Sequence, residues 1–215
     1  MTTPSTPPAI SPEAIAAALG QFPPTPEQSA VIAAPLEPAL VVAGAGSGKT
    51  ETMSGRVVWL VANGLVRRDE VLGLTFTRKA AGELAERVQR RLARLGEFER
   101  RGLLPRLQSL HAAGALDVFG KIERDSADAR AADAARRAAL DALASGTAAP
   151  ESDPDALLHR PVISTYNSFA DQLVRENAVR IGRDPESVVL SESAAWLLMR
   201  SVVHASDDAA LEEID

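Results

Sequence analysis

The sequence predicts an α/β protein built around a parallel sheet, and three observations predict that fold. An apolar, β-branched run at residues 38–44 leads into a glycine-rich turn and then into helical apolar spacing over residues 49–62. A second apolar run, EVLGLTFT at residues 70–77, is followed by another helical pattern over residues 79–95. A strand–helix–strand–helix order places neighbouring strands in the same direction, so the sheet should be parallel. We expect the strand at residues 38–44 to be buried on both faces.

The flanking elements are predicted from caps and apolar spacing. Residues 1–21 are expected to be a mostly disordered leader that gives way to a short helix around residues 12–19. Thr25 should cap a helix that begins at Pro26, with Gln28 completing a capping box. Residues 162–166 are expected to form a strand, residues 168–179 a helix, and residues 187–203 a last short strand and helix.

Composition and charge limit the class of protein. The chain has 215 residues, of which 46% are hydrophobic and none is cysteine, so it should fold around a core without disulfides. No apolar stretch is long enough to cross a membrane, and the first residues do not resemble a signal peptide, so we expect a cytoplasmic protein without a membrane partner. The histidines are far apart in sequence and predict no metal site, while Trp59 and Trp196 are expected in the core.

The net charge of −6 and the pI near 5.2 argue, taken whole, against a nucleic-acid binder. The charge is uneven, however, because residues 78–106 hold nine basic and four acidic side chains. A local field matters more to a phosphate backbone than the global sum. Arginines spaced in this way along a helix are nevertheless more typical of a solvated face.

The strongest motif is AGAGSGKT at residues 43–50, which matches the phosphate-loop pattern G-x-x-x-x-G-K-[ST] except at its first position. Small residues let the backbone curl so that N–H groups point at phosphate oxygens, and the helix that follows adds its positive end. An ordinary strand-to-helix turn is the alternative. We expect Lys49 to reach the phosphates of ATP and Thr50 to bind Mg²⁺ as the catalytic pair. The expected phosphate site is Ala43, Gly44, Ala45, Gly46, Ser47, Gly48, Lys49 and Thr50.

Together with this loop, three further segments resemble the UvrD/Rep-like helicases: TPEQ at residues 25–28, LTFTRKAAGEL at residues 74–84 and STYNSFADQLVREN at residues 164–177. The resemblance implies a RecA-like P-loop NTPase core. It also implies an ATP-dependent DNA helicase that uses ATP and Mg²⁺, acts on single-stranded or duplex DNA in DNA repair, and moves 3′ to 5′.

In this family the glutamine of the first segment, here Gln28, contacts adenine. An amide suits that role because it can donate to and accept from one base edge at the same time. The alternative is a surface helix start in which Gln28 only completes the capping box.

The second segment resembles motif Ia, whose strand end faces single-stranded DNA. By this resemblance Phe76 would stack on a base, Thr75 and Thr77 would reach phosphates, and Arg78 and Lys79 would supply positive charge. The alternative is that Phe76 belongs to the core and Arg78 is only solvated.

The third segment resembles motif Ib, usually a T-F-H-S-F type sequence. Thr165 and Ser168 match that pattern, while Tyr166 and Asn167 stand where the family usually has Phe and His. Both replacements keep an aromatic ring or a hydrogen-bonding group, so these four residues are expected to contact DNA. The alternative is a core strand that leads into a helix.

The resemblance also divides the chain. Residues 22–95 would be the first part of RecA-like domain 1A, residues 96–160 a helical or flexible insertion, residues 161–190 the continuation of 1A, and residues 191–215 the start of the helical 1B region. The family's Walker B segment, an apolar strand ending in Asp-Glu, is not found after the loop. We therefore expect an incomplete, N-terminal fragment that is inactive as an ATPase by itself.

Within the family, residues 22–84 look most similar to the actinobacterial AdnB-like helicase-nuclease subunit, which acts on double-strand breaks with a second helicase-nuclease subunit. Two other hypotheses stay open. One is a truncated nucleotide- or DNA-binding module without ATPase activity, and the other is a different P-loop enzyme such as a small kinase.

Overall fold

The computed structural model describes residues 10–125, 128–146, 159–188 and 190–205. The chain forms two compact units, Met1–Tyr166 and Asn167–Asp215, which we describe separately. No helix in the described ranges is both long enough and apolar enough to cross a membrane.

The first unit contains a parallel sheet, as the sequence predicts. Strand β1 (Leu72–Thr75) pairs with strand β2 (Val162–Thr165), and Thr75 lies beside Thr165 at the carboxyl end of both strands. About ninety residues separate the two strands in sequence, and the connection contains four of the nine α-helices in the described part of the chain. The α/β class is therefore confirmed.

The two helices before the glycine-rich loop begin at side-chain caps. Helix α1 (Pro12–Ala18) is capped by Ser11, and α2 (Pro26–Ile32) by a complete Thr25–Gln28 capping box. Helix α3 (Lys49–Ala62) follows the glycine-rich loop, and α4 (Arg78–Arg100) starts at the Thr77 cap directly after β1. Helix α4 is longer than expected because its apolar face continues through Leu95 to Phe98, both fully buried.

The main core lies between α1, α3, α4 and three helices of the insertion, which are α5 (Leu107–Ala112), α6 (Asp117–Asp125) and α7 (Ala129–Ala144). The short helix expected around residues 12–19 is present as α1, and residues 10–19 pack into this core through Ile10, Ile15 and Leu19 instead of belonging to a mostly disordered leader. Residues 1–9 lie outside the described residues. The insertion contributes buried side chains as well, notably Phe98, Phe119 and Leu140.

The predicted buried strand at residues 38–44 is wrong. This segment has no strand structure, and the side chain of Leu40 is 90% exposed. A β-branched run favours an extended backbone but becomes a strand only where another strand completes the hydrogen-bond ladder. In the described part of the chain no strand lies beside it.

The second unit is helical. Helix α8 (Tyr166–Glu176) begins at the last residue of the first unit, and α9 (Glu192–His204) follows a single turn at Val179–Ile181. Residues 187–188 and 190, part of the predicted last strand, are not in a strand, and residue 189 lies outside the described residues. Trp196 on α9 is 59% exposed, so its predicted core position is wrong, whereas Trp59 is buried as expected.

Candidate nucleotide and DNA sites

The glycine-rich loop is curled rather than extended. The Ser47 hydroxyl donates to the carbonyl oxygen of Gly44 at 2.9 Å, and α3 begins immediately after the loop, at Lys49. Gly46 and Gly48 have φ of 77° and 82°, a region that favours glycine. These two residues therefore turn the backbone back toward the start of α3.

The N-terminus of α3 is open to a ligand. No side chain caps this 14-residue helix, so the N–H groups of its first turn have no partner within the helix. A Cβ added at Gly44 or Gly46 would meet no atom within 4 Å, so the space above the loop is clear. Free N–H groups, a positive helix end and a glycine-lined opening fit the phosphates of a nucleotide.

Lys49 folds back over this opening. Its Nζ donates to the carbonyl oxygens of Ala43 at 2.9 Å and Gly44 at 2.5 Å. The ammonium group therefore lies at the mouth of the loop and is already held by oxygen atoms.

Gln28 contacts the loop directly, which the sequence did not indicate. Its Nε2 donates to the carbonyl oxygen of Ser47 at 3.1 Å, while its Oε1 accepts from the N–H of Thr25 at 3.0 Å. The close approach needs glycine at position 48, because a Cβ there would lie 2.7 Å from Gln28 Nε2. One amide proton and one oxygen lone pair of Gln28 stay available for a further ligand.

A cavity of about 570 Å³ adjoins Gln28 and the first turns of α3. Its lining includes apolar side chains, among them Phe22, Ile32 and Trp59. Charged side chains of both signs also line it: Arg87, Arg90, Arg91, Arg94, Glu51 and Glu123.

The second candidate site lies at the carboxyl ends of β1 and β2. Phe76 follows β1 and is 90% exposed, and Tyr166 follows β2 and is 49% exposed. The two rings are 5.2 Å apart between centroids with an interplanar angle of 40°. The alternative that places Phe76 in the core is therefore wrong, and the two motifs resembling Ia and Ib meet at this aromatic pair.

The other residues expected at this site differ in how they are placed. Thr77 caps α4 by accepting from the N–H of Ala80 at 3.1 Å, and Thr75 Oγ1 donates to the carbonyl oxygen of Thr77. Arg78 and Lys79 are exposed, whereas Thr165 is buried. Asn167 and Ser168 are exposed residues of the second unit.

The described residues include no group of three or more His, Asp or Glu side chains placed to hold a metal ion. Thr50, the expected Mg²⁺ ligand, is exposed in the first turn of α3. A magnesium ion in a nucleotide site takes most of its ligands from phosphates and water, so one hydroxyl fits the contribution required of this segment.

The arginines of α4 mostly contact this chain's own groups. Arg87 and Arg91 pair with Glu51 in the first turn of α3, and Arg94 pairs with Glu123. The sequence did not indicate this network. The i, i+4 spacing of Arg87 and Arg91 indicates that their side chains lie on one face of a helix, but no sequence pattern indicated which acidic residue they face.

These features define an α/β protein with a curled glycine-rich loop before a helix and with aromatic side chains exposed at the ends of its parallel strands. Residues 24–214, most of the chain, match the UvrD/REP helicase N-terminal domain. The chain therefore belongs to the UvrD/REP helicase family, which confirms the resemblance found in the sequence and argues against a small kinase.

Curated relatives match over shorter segments. A segment of 72 residues is 42% identical to DNA helicase II of Haemophilus influenzae and covers 34% of this chain and 10% of that protein. A segment of 63 residues is 46% identical to the ATP-dependent DNA helicase UvrD2 of Mycobacterium tuberculosis, covering 29% and 9%. For DNA helicase IV of Escherichia coli, 53 residues are 51% identical, covering 25% and 8%. The chain thus spans a tenth or less of each of these relatives.

Proposed function

We propose that this chain is the ATP-binding portion of a UvrD-type, ATP-dependent DNA helicase. The observation that carries the proposal is the uncapped N-terminus of α3 behind a glycine loop, with the Lys49 ammonium at its mouth. The phosphates of ATP would accept from the first N–H groups of α3 and from Lys49, and Thr50 would bind Mg²⁺. When bound, Mg²⁺–ATP supplies the phosphoryl group whose hydrolysis drives a helicase.

Gln28 would serve two purposes in this site. Its free amide proton and oxygen lone pair would contact the adenine edge, while its bond to the Ser47 carbonyl would hold the loop. The cavity beside Gln28, which apolar and charged side chains line, is large enough for a base and ribose. The residues proposed to bind ATP are Gln28 and residues 43–50.

DNA would bind at the strand ends. Phe76 and Tyr166 together offer an exposed aromatic surface on which a base can stack without sequence preference. Thr75, Thr77 and Thr165 lie beside this surface, and exposed Arg78 and Lys79 supply positive charge for the backbone. Asn167 and Ser168, which directly follow Tyr166 in the sequence, are proposed as further contacts.

The finer proposals follow the family resemblance. They are a RecA-like core, movement 3′ to 5′, a role in DNA repair at double-strand breaks, and an AdnB-like partnership with a second helicase-nuclease subunit. We also propose that this chain by itself binds ATP with little hydrolysis. The sequence supports this because no apolar strand ending in Asp-Glu, the family's Walker B pattern, is found after the loop.

Two lysines give a reciprocal test of the proposed function. Lys49→Ala should weaken binding of a fluorescent ATP analogue at least tenfold, because it removes the charge at the mouth of the loop, and should leave binding of labelled oligo-dT unchanged. Lys79→Ala, at an exposed residue of α4, should leave ATP binding unchanged and weaken DNA binding, with a smaller salt slope. Equal ATP affinity in the wild type and Lys49→Ala would overturn the proposal.

A further inference from the structure

Glu51 lies one residue beyond Thr50 and is held by two arginines of α4. Arg87 Nη1 is 2.9 Å from Glu51 Oε2, and Arg91 Nη2 donates to Glu51 Oε1. The carboxylate therefore joins the first turn of α3 to the middle of α4.

Arg91 is only 5% exposed and directs its other donors to the same turn. Its Nη1 donates to Ser54 Oγ at 2.8 Å and to the carbonyl oxygen of Glu51 at 3.4 Å. Ser54 Oγ in turn donates to the carbonyl oxygen of Thr50 at 2.9 Å. Gln21, with its amide oxygen turned toward the guanidinium, accepts from Arg91 Nε at 2.9 Å.

The geometry of these contacts depends on arginine. Burial lowers the pKa of Arg91, and the hydrogen bond and charge of Glu51 oppose that lowering. Glu51 therefore stabilises the charged form of this buried guanidinium. A guanidinium presents its donors in a fixed planar fork, which holds a carboxylate, a hydroxyl and a carbonyl in fixed relative positions. An ammonium group keeps the charge but not the fork.

We infer that Arg91 is a positioning residue for the phosphate-binding loop. Through Glu51 and Ser54 it fixes the first turn of α3, so that Lys49 and Thr50 face a bound polyphosphate. The inference rests on the proposed nucleotide function. Glu51 also places a negative charge next to the phosphate site, and the adjacent Arg87 offsets it.

The test compares Arg91→Lys with Arg101→Lys, two changes that keep the charge. Arg101, directly after α4, pairs with Asp141 of α7 and donates to the carbonyl oxygen of Glu97, and neither partner belongs to α3 or lines the cavity beside Gln28. Calorimetric titration with inorganic tripolyphosphate should give a dissociation constant about tenfold higher for Arg91→Lys and within about twofold of the wild type for Arg101→Lys.

A second readout separates positioning from loss of global stability. Hydrogen exchange in Arg91→Lys should speed up at residues 46–54 and stay unchanged in α7, because only the first turns of α3 lose their support. Equal acceleration in both regions would overturn the inference, as would a dissociation constant within about twofold of that of Arg101→Lys.

If Arg91→Lys does not fold, Ser54→Ala tests the positioning role instead. This change removes the hydroxyl that accepts from the Arg91 guanidinium and alters the side-chain volume only slightly. We expect its dissociation constant for tripolyphosphate to rise about threefold, and an unchanged value would overturn the inference. A wild type that binds tripolyphosphate no more tightly than Lys49→Ala would instead overturn the proposed function, and this inference with it.

Discussion

Phe76 presents nearly its whole ring to solvent, which is unusual for a large apolar side chain at the end of a strand. The chain keeps it there because β1 ends one residue earlier and Thr77 must cap α4 one residue later. Tyr166 supports one side of the ring and leaves the rest accessible. At the residue scale, function is therefore indicated by an apolar group that the fold leaves uncovered.

Phe76→Ala should weaken binding to labelled oligo-dT by about 1–3 kcal/mol, because one stacked base loses its aromatic partner. Fluorescence anisotropy measures this loss. Phe22→Ala is the matched control, since Phe22 is equally exposed but lies at the cavity beside α2 instead of the strand ends. The stacking role fails if both variants bind oligo-dT equally.

At the scale of elements, α2 depends on α3 for its stability. Helix α2 has seven residues, too few for independent stability, and its last carbonyl groups have no partner within the helix. Arg56 of α3 makes four hydrogen bonds of 2.8–3.1 Å, two to the last carbonyl groups of α2 and two to residues that follow the helix. They go to the carbonyl oxygens of Val31, Ile32, Ala34 and Pro35. Because α2 carries Gln28, this contact also supports the loop.

Arg56→Met should lower the free energy of unfolding by about 1–3 kcal/mol, since hydrogen bonds to a charged group are lost and carbonyl groups are left unsatisfied. Urea titration followed by circular dichroism provides the measurement. Arg67→Met serves as the control, because Arg67 only pairs on the surface with Asp69, and its loss should cost less than about 0.5 kcal/mol. Similar losses in the two variants would contradict the role given to Arg56.

At the scale of the first unit, α1 and the insertion complete one core around α3 and α4. Arg136 of α7 is buried, donates to Glu97 at 3.2 Å and to the carbonyl oxygen of Ala18 at 3.0 Å, and lies 4.8 Å from the centroid of Phe119. From the other side, Trp59 Nε1 donates to the carbonyl oxygen of Ile10 at 2.7 Å. Residues 10–19 are thus structural parts of the unit.

Leu19→Ala should destabilise the chain by about 2–5 kcal/mol, because it opens a cavity where α1 meets the insertion. Leu40→Ala makes the same substitution at an exposed side chain and should change stability by less than about 0.5 kcal/mol. Both values come from urea unfolding. A loss below 1 kcal/mol for Leu19→Ala would show that α1 is dispensable for the core.

The sequence predicted the local features of this molecule better than the distant ones. The cap at Thr25 and the start of α3 at Lys49 follow from short-range patterns, and the structure has both of them. The predicted strand at residues 38–44 failed because a strand depends on a partner elsewhere in the chain. The pairing of Arg91 with Glu51 was unpredictable for the same reason, since forty residues separate them.

The two oxygens that hold the Lys49 ammonium come from the main chain, so no side-chain substitution at positions 43 and 44 deletes them. This explains how alanine can stand at the first position of the motif, since no described non-glycine residue has a positive φ and Ala43 is therefore unstrained. In the proposed binding of nucleotide, the Lys49 ammonium exchanges two main-chain oxygen atoms for phosphate oxygen atoms. The conformational entropy of the Lys49 side chain, worth up to about 2 kcal/mol, is then lost on folding rather than on ligand binding.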